Sequence, residues 1–327
     1  MLPIGALVRL PYFVLSPGDA TAVEPLIHVQ GAPSYHHNGA ILFTTVSLAG
    51  DVNAYALLHG WLSSNDQVVS RDAITGGTPT KTYNAENVQA MTDSKTAATK
   101  VALERLGFPV PASGDGVAVV QVTAKGPADG KLQPGDVITA IDGAPVTLDD
   151  QLVSAVHTHK PGEVITFTVR RNGQSQTTQV QAGDDGHGVA KIGVALQTDN
   201  LHYAFPVQVT IDTGKVAGPS AGLAFTLALL DDLNSADLTG GKKVAVTGTI
   251  DVHGNVGPVG GVVQKTAAAR RAGAVAFLVP PDEEHDAKLH AGPMRIVVVR
   301  TFADALAALQ QLGGGGLTPP STAAAGH

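Results

Sequence analysis

Gly218-Pro219-Ser220-Ala221-Gly222 leads directly into the apolar stretch Leu223 to Leu230, and this passage decides how the last third of the chain folds. The glycine and proline favour a turn, and the apolar run behind them predicts a helix over 219–230. A strand is predicted just before the passage, over 205–211. Beyond it, strands and helices continue to alternate, which is typical of an α/β domain. The strands are predicted over 243–250, 274–279 and 295–299, and the helices over 261–272, 282–290 and 302–312.

Two side chains in this region suggest chemistry. Ser220 stands at the glycine–proline turn, which exposes its hydroxyl, and the N-terminus of the predicted helix offers unpaired N–H groups to an oxyanion. Lys265 lies at the start of the helix predicted over 261–272. A lysine shielded from water can lose its proton near neutral pH and act as a base. The pair predicts a Ser–Lys hydrolase, although a serine alone often only caps a helix and a lone helical lysine is usually solvated.

The composition limits the choice of function. With 327 residues, the chain has room for two or three domains, and 43% hydrophobic residues suffice for substantial cores. A net charge of −7 argues against a nucleic-acid surface. The absence of cysteine rules out disulfides, a cysteine nucleophile and cysteine-ligated zinc. The apolar start, Met1 to Leu15, is too short and too interrupted by proline and arginine to span a bilayer.

The middle of the chain predicts a small β-rich domain. The stretch GVAVVQVTAKGPADGKLQPGDVITAIDGAPV (116–146) combines a glycine–apolar strand, a Gly-Pro-Ala turn and a Leu-x-Pro-Gly-Asp-x-Ile series that ends at an Asp-Gly turn. A helix over 149–157 and a hairpin over 165–180 follow. This order resembles a PDZ domain of the bacterial, protease-associated type.

The PDZ resemblance implies a groove for the C-terminus of a peptide, which would add as a strand beside an edge strand and a helix. The loop that holds the carboxylate maps onto Leu106, Gly107 and Phe108, with Arg105 in place of the family's first glycine, and the neighbouring strand contributes Val117 and Val119. The alternative is that Leu106 and Gly107 simply cap the preceding helix.

The first 105 residues and the last 15 carry weaker signals. Residues 1–105 predict an irregular α+β region, with a strand over 40–47 and helices over 53–62 and 84–106. The tail 313–327 is rich in glycine, proline and alanine and predicts disorder. The predicted domains are therefore 1–105, 106–184, 185–312 and the tail.

Four motifs in residues 205–312 resemble the proteolytic domain of Lon proteases. Gly218-Pro219-Ser220-Ala221-Gly222 is similar to the family's nucleophile motif, and Thr247-Gly248-Thr249-Ile250 to its Thr-Gly-Glu-Ile strand end. Gly254-Asn255-Val256-Gly257-Pro258-Val259-Gly260-Gly261 is similar to its Gly-x-Val-x-Pro-Ile-Gly-Gly segment, and Lys265 follows at the family's spacing. A PDZ domain followed by such a domain resembles the bacterial PDZ–Lon family.

This resemblance implies roles for individual residues. Ser220 would attack the peptide carbonyl, Lys265 would take and return the proton, and Thr247 would orient Lys265. Backbone near Ser220 would form the oxyanion hole and line the site, with contributions from Gly218, Pro219, Ala221, Gly260 and Gly261. The chain departs from ATP-dependent relatives at Ala217, where these commonly carry an acid, and at Pro206 and Gln208, where they carry histidines.

The sequence thus predicts a multidomain α+β protein: an N-terminal α/β region, a PDZ β-sandwich or barrel with helices, and a Lon-type α/β proteolytic domain. The predicted function is an ATP-independent serine endopeptidase whose PDZ domain recruits or gates peptide and protein substrates, in part by their C-termini. The alternatives are a PDZ adaptor or a ring-forming scaffold with an inactive Lon-like domain. The family implies a homo-oligomer and a membrane anchor upstream that faces the protein out of the cytoplasm.

No cofactor and no metal are predicted. His36-His37 and His157-x-His159 lack acidic partners at convincing spacing, and exposed histidines are far commoner than metal sites. Gly240-Gly241-Lys242 is followed by Lys243 and does not match a phosphate-binding loop. The acidic run Asp282-Glu283-Glu284 is interpreted as the first turn of a helix, where its charge suits the helix dipole.

Overall fold

A computed structural model describes residues 9–50 and 52–318. The α-helices of these residues are α1 (Ala54–Leu62), α2 (Arg71–Thr75), α3 (Thr80–Arg105), α4 (Asp149–His157), α5 (Gly222–Leu233), α6 (Val262–Arg271), α7 (Glu284–His290) and α8 (Phe302–Gln311). The strands of the first half are β1 (Tyr12–Ala22), β2 (Ile27–Gln30), β3 (Ala40–Gly50), β4 (Gln67–Ser70), β5 (Ala112–Ser113), β6 (Val117–Val122), β7 (Val137–Ile141), β8 (Ala144–Pro145) and β9 (Val164–Arg171). The remaining strands are β10 (Gln174–Gln181), β11 (Gly183–Asp184), β12 (Ala190–Lys191), β13 (Val194–Thr198), β14 (His202–Tyr203), β15 (Gln208–Ile211), β16 (Lys243–Val246), β17 (Thr249–Ile250), β18 (Val256–Gly257), β19 (Ala276–Val279) and β20 (Arg295–Val298).

The residues divide into two compact units, and the first is built from both ends of the chain. Of the described residues, those up to Pro109 and those from Pro206 onward form unit 1, while Val110–Phe205 form unit 2. A six-stranded sheet in the order β20-β19-β16-β3-β1-β4 joins the two halves of unit 1. β3 pairs with β16 in parallel and with β1 in antiparallel fashion. The N-terminal region 1–105 and the C-terminal region 185–312, predicted as separate domains, therefore contribute strands to one sheet.

Helices cover both faces of this sheet. Leu42 of β3 packs in the cluster that contains Val262 and Ala269 of α6. Its neighbour Phe43 contacts Phe225 of α5, with ring centroids 5.9 Å apart. Because successive side chains of a strand point to opposite faces, α6 and α5 lie on opposite sides of the sheet.

Helix α5 is buried along its whole length, from Gly222 to Leu233. It packs against β3 on one side and against the long helix α3 on the other. This double cover explains why residues 222–230 are apolar on every face, apart from Thr226, rather than on one stripe.

The main sheet of unit 2 is antiparallel and has six strands, in the order β10-β9-β7-β6-β13 with β8 paired to β7, and α4 lies beside it. Its core contains Val117, Val119, Leu152 and Phe167, each nearly or fully buried. Asp136 is buried as well and receives two hydrogen bonds from Arg171, of 2.6 and 2.7 Å. Burial alone would raise the pKa of Asp136, but the bonds from Arg171 and from the Gln133 N–H outweigh it and lower the pKa.

Several predicted elements have different bounds in the structure. The helix predicted from Asn84 begins at Thr80, and the helix predicted from Pro219 begins at Gly222. Residues 313–318 of the predicted tail include Thr318, which donates to Asn234 Oδ1 through its N–H and its hydroxyl, while residues 319–327 lie outside the described part. In the described residues, no helix combines the length and apolar character needed to cross a bilayer.

Candidate active site

Ser220 lies at the carboxyl end of the parallel strands, in the turn that precedes α5. The Gly222 N–H donates to the Pro219 carbonyl, which closes this turn, so that α5 begins two residues after Ser220. The Gly248 N–H and the Thr247 hydroxyl both donate to the Ser220 carbonyl, at 3.0 and 3.2 Å. The residue is therefore fixed to the end of β16, the central strand of the sheet.

Helix α3 holds the same turn from the opposite side. The Gly218 N–H donates to the Asn87 carbonyl at 3.0 Å, and the Ser94 hydroxyl donates to the Pro219 carbonyl at 3.1 Å. A Cβ added at Gly222 would lie 2.5 Å from Ser94 Oγ, so only glycine allows this approach. Sequence reasoning missed Asn87 and Ser94, because nothing in the local pattern links them to a turn more than a hundred residues later.

Lys265 lies in the first turn of α6 and points into the protein, with 3% of its surface exposed. Its Nζ donates to Ser220 Oγ at 2.9 Å and to Thr247 Oγ1 at 3.3 Å. Burial lowers the pKa of Lys265 from 10.5 to about 8, against the opposing charge of Glu283. At pH 8 about half of the amine is therefore neutral and able to accept a proton.

The structure thus brings together Ser220, Lys265 and Thr247, the three side chains that the sequence predicts for the site. Gly260 and Gly261 line the same cleft as Ser220 and Lys265. Gly261 has φ +68° and begins α6, and a Cβ there would meet Val46 at 2.6 Å.

Around Ser220, some backbone N–H groups donate to a carbonyl and others have no backbone acceptor. Gly218 uses its N–H for Asn87, and Pro219 has none. Among the described residues, the N–H groups of Ser220 and Ala221 meet no backbone acceptor. Within the turn 218–222, these two N–H groups are therefore the ones available to an oxyanion.

A cleft of about 940 Å³ opens in front of Ser220. Its walls come from residues 43–48 of β3, the first half of α3 and the loop 215–221. Pairing between β16 and β3 ends at Val246 and Phe43, while β3 continues to Gly50. Beyond Phe43, β3 no longer pairs with β16. Among the described residues, no other strand pairs with this edge of β3, and residues of this segment line the cleft.

The three residues predicted to hold the carboxylate of a bound peptide, 106–108, lie at the end of α3. Leu106 ends α3, the Gly107 N–H donates to the Glu104 carbonyl, and the Phe108 N–H donates to the Leu103 carbonyl. This is a Schellman cap, which uses the N–H groups that a carboxylate would need. The alternative interpretation as a helix cap therefore fits the structure, and residues 106–108 lie in unit 1 rather than unit 2.

Val117 and Val119 are core residues of β6, which is paired on both sides, with β7 and β13. The edge strands of this sheet are β10 and β13, and β13 packs against α4. β13 follows the short loop 191–193, whose first residue also ends β12, and is tied to α4 where Thr198 Oγ1 accepts from the Asp149 N–H at 3.0 Å. An apolar–Gly–apolar element at Ile192-Gly193-Val194 is the sequence signal that could have identified this strand.

Two family models match the chain, one mainly in each unit, although the second match begins at residue 191, inside unit 2. Residues 104–182 match the model of the PDZ domain, and residues 191–307 match the model of the Lon protease (S16) C-terminal proteolytic domain. The chain therefore carries a PDZ domain and a Lon-type peptidase domain, and the predicted family resemblance and multidomain α+β class are confirmed.

The curated relatives are Lon proteases. Lon protease 2 of Bacillus subtilis (strain 168) is 31% identical over 107 residues, which cover 33% of this chain and 18% of that protein. Lon protease of Buchnera aphidicola subsp. Acyrthosiphon pisum is 29% identical over 171 residues, which cover 49% of this chain and 20% of that protein. The matched region thus spans a fifth or less of the length of these two relatives.

Among solved structures, the PDZ domain of the SdrC-like protein from Listeria monocytogenes is 28% identical and covers 25% of this chain and 87% of that one. The TM-score of 0.24 is too low to support a fold assignment by itself.

Proposed function

We propose that the chain is a serine endopeptidase that uses Ser220 as nucleophile and Lys265 as general base. The observation that carries this proposal is the 2.9 Å distance between Lys265 Nζ and Ser220 Oγ, together with the burial of the amine. The neutral Lys265 amine takes the Ser220 proton as the hydroxyl attacks the peptide carbonyl, and the resulting ammonium returns a proton to the leaving amine. Water then releases the acyl group, with Lys265 again as base.

Thr247 orients the base in this scheme. Its hydroxyl donates to the Ser220 carbonyl and leaves a lone pair for the Lys265 amine, 3.3 Å away. The N–H groups of Ser220 and Ala221 stabilise the oxyanion, an effect on the order of 3 kcal/mol in other hydrolases.

The open edge of β3 offers a place for the substrate main chain. An extended peptide that pairs with residues 44–48 of β3 adds a strand to the sheet and lies in the cleft that contains Ser220. Main-chain pairing requires an unfolded segment and little side-chain specificity. We therefore propose unfolded proteins and extended peptides as the substrate class.

Hydrolysis of an unfolded protein such as β-casein tests the proposal. Wild type should cleave it without ATP, and Ser220→Ala and Lys265→Ala should each lose on the order of a thousandfold or more in rate. Thr247→Val, which keeps the shape but removes the hydroxyl, should lose less. Equal background turnover by wild type and both alanine variants would instead favour the adaptor or the scaffold. A rate that rises when ATP and magnesium are added would contradict ATP independence.

For the PDZ unit we propose that a peptide C-terminus adds to the free edge of β13, beside α4. The loop 191–193 supplies the N–H groups that face the carboxylate. The substitution Gly193→Ala distorts this loop, where φ is +74°, and should weaken binding of a C-terminal peptide about tenfold. Gly188→Ala is the matched control, because Gly188 also has a positive φ (+82°) but precedes the loop. Equal affinity of both variants, or equal binding of an amidated peptide, would contradict this site.

We also propose a homo-oligomer and a location at a membrane outside the cytoplasm, as the family resemblance implies. Helix α1 carries no charged residue other than a histidine, and exposes Trp61 and Leu62 at 69% and 79%. Such side chains suit a bilayer interface. Light scattering measures the oligomeric state. Co-sedimentation with vesicles tests whether the exposed face of α1 binds a bilayer, and Trp61→Ser and Leu62→Ser should each lower the fraction of protein bound to the vesicles.

A further inference from the structure

A buried carboxylate that the scheme above does not use lies near the candidate site. Glu283 ends the 3-10 turn Pro281–Glu283, which follows β19, and only 6% of its surface is exposed. Its Oε1 accepts a hydrogen bond from the Val259 N–H at 2.7 Å. Its Oε2 is buried too and accepts no hydrogen bond from any described residue. A buried carboxylate oxygen without a partner is costly, so this arrangement requires an explanation.

The partner of Glu283 belongs to the segment that delivers Lys265. Val259 lies in Gly257-Pro258-Val259-Gly260-Gly261, and Gly261 begins α6. The Lys265 N–H donates to the Gly261 carbonyl, one helical turn earlier. One oxygen of Glu283 therefore anchors the segment that leads into α6, the helix that carries Lys265. The carboxylate also places a negative charge in the same buried region.

That charge acts on the Lys265 amine. Burial lowers the pKa of Lys265, and the charge of Glu283 works in the opposite direction. No ion pair within 4 Å joins the two side chains in the described structure, so the effect is exerted across a gap rather than by contact.

The other charged groups near α6 are engaged elsewhere. On α6 itself, Arg271 donates to the Gly18 carbonyl and Arg270 to the His290 carbonyl. On α7, Glu284 pairs with Lys288 at the surface, and on β1 the Asp19 side chain is exposed. Lys215 lines the same cleft as Lys265, but Glu283 is the charged group that acts on the pKa of Lys265.

We propose that Glu283 is a positioning residue of the Ser220–Lys265 site: its Oε1 fixes the segment 257–261, and its negative charge counteracts the burial of the Lys265 ammonium. The inference rests on the proposed function, since it assigns Glu283 a role in setting the pH at which Lys265 becomes a base. Without this charge, the amine would stay neutral at lower pH and would be a weaker base.

Two substitutions separate the two roles. Glu283→Gln keeps an oxygen that can accept from the Val259 N–H and removes the charge. The Lys265 ammonium then loses a favourable interaction, its pKa falls, and the acid limb of kcat/KM should move about half a unit to one unit toward lower pH. Glu283→Ala also removes the anchor, and its plateau kcat/KM should fall about tenfold or more because the start of α6 is no longer fixed.

The experiment compares the pH profile of kcat/KM for wild type, Glu283→Gln and Glu283→Ala, with Ser220→Ala as the inactive reference. Glu284→Gln is the matched control, because it removes a neighbouring charge that lies in solvent. A profile of Glu283→Gln that superimposes on wild type would overturn the inference. Absence of any difference between wild type and Ser220→Ala would instead defeat the proposed function.

A measurement that does not depend on turnover distinguishes failure of this inference from failure of the proposed function. In protein with ¹³C-labelled lysine, the Lys265 signal is assigned by its loss in Lys265→Met, and its titration is followed by NMR. The midpoint should be lower in Glu283→Gln than in wild type and unchanged in Glu284→Gln. An unchanged midpoint in Glu283→Gln would contradict the electrostatic role, whatever the peptidase assay shows.

Discussion

Lys265 combines a charged side chain with an apolar location, and this combination has a cost for stability. In the folded protein the pKa of Lys265 is lowered from 10.5 to about 8 because burial disfavours the ammonium. Below pH 8 the folded chain must either hold a buried charge or release a proton that the unfolded chain would keep. The same environment that makes the amine a base therefore destabilises the fold.

The first prediction is that Lys265→Met abolishes turnover and stabilises the protein at pH 7 by about 2 kcal/mol. The gain should shrink as pH rises from about 8 to 10.5, because the wild-type amine is then neutral in both the folded and the unfolded state. Urea unfolding at several pH values measures this. A variant no more stable than wild type at pH 7 would show that the ammonium is solvated or paired in the folded state.

At this scale the sequence predicts the groups that react but not those that support them. Ser220, Thr247 and Lys265 stand in recognisable motifs. In the structure, Lys265 Nζ lies 2.9 Å from Ser220 Oγ and 3.3 Å from Thr247 Oγ1. Glu283 stands in an acidic run that suits the first turn of an exposed helix, and only the packing of the turn 281–283 against Val259 reveals that it is buried. Their roles in the reaction remain predictions.

Among the elements, α3 and α5 determine the geometry of the nucleophile turn. Their close approach depends on Gly222, where a Cβ would lie 2.5 Å from Ser94 Oγ and 2.9 Å from Ile250 Cγ2. Two well-packed neighbours on different elements leave no direction in which an added methyl group fits.

The second prediction is that Gly222→Ala destabilises unit 1 by about 1–3 kcal/mol and lowers activity by displacing Ser220. Gly260→Ala is the control for stability, since a Cβ there meets nothing within 4 Å. Thermal unfolding and kcat/KM of both variants provide the comparison. Equal melting temperatures would mean that α3 shifts at no cost to accommodate the methyl group.

Sequence patterns predict the existence and type of these elements better than their ends. The helix after Ser220 starts three residues later than predicted, because the Pro219 carbonyl accepts from Gly222 in a turn that sets Ser220 apart from the helix. A glycine between apolar residues suits a helix cap as well as a peptide-binding loop, and at 106–108 the N–H groups of Gly107 and Phe108 donate within the cap of α3. Strand pairing, which identifies β13 as an edge of the PDZ sheet, is a long-range property that no local pattern contains.

For the molecule as a whole, a second buried charge cluster links stability to pH. At the end of α5, Asp231 and Asp232 lie close to Glu24, whose Oε1 accepts from the Ile41 N–H at 2.6 Å. Burial raises the pKa of Glu24 to about 7 and that of Asp231 to about 6. Both folded-state values lie above those of the unfolded chain.

The third prediction follows from the sign of these shifts. Between about pH 4 and pH 7 Glu24 and Asp231 bind more protons in the folded state than in the unfolded state, so their contribution to stability falls as pH rises through this range. Glu24→Gln, which can still accept from Ile41, should stabilise the protein by about 1–2 kcal/mol at pH 8 and have little effect at pH 4. Urea unfolding at the two pH values tests this, with the exposed Glu86→Gln as control. A gain of equal size at both pH values would contradict an effect of ionisation.

The division of one sheet between the two ends of the chain has a consequence for biosynthesis. The PDZ sheet uses strands from residue 117 to residue 198 only, so a ribosome releases all of them in one continuous stretch. β1 and β3, although made first, must wait for β16, β19 and β20 before their sheet is complete. During translation the strands of the internal unit are therefore complete first, and the earliest part of the nascent chain waits longest for its partner strands.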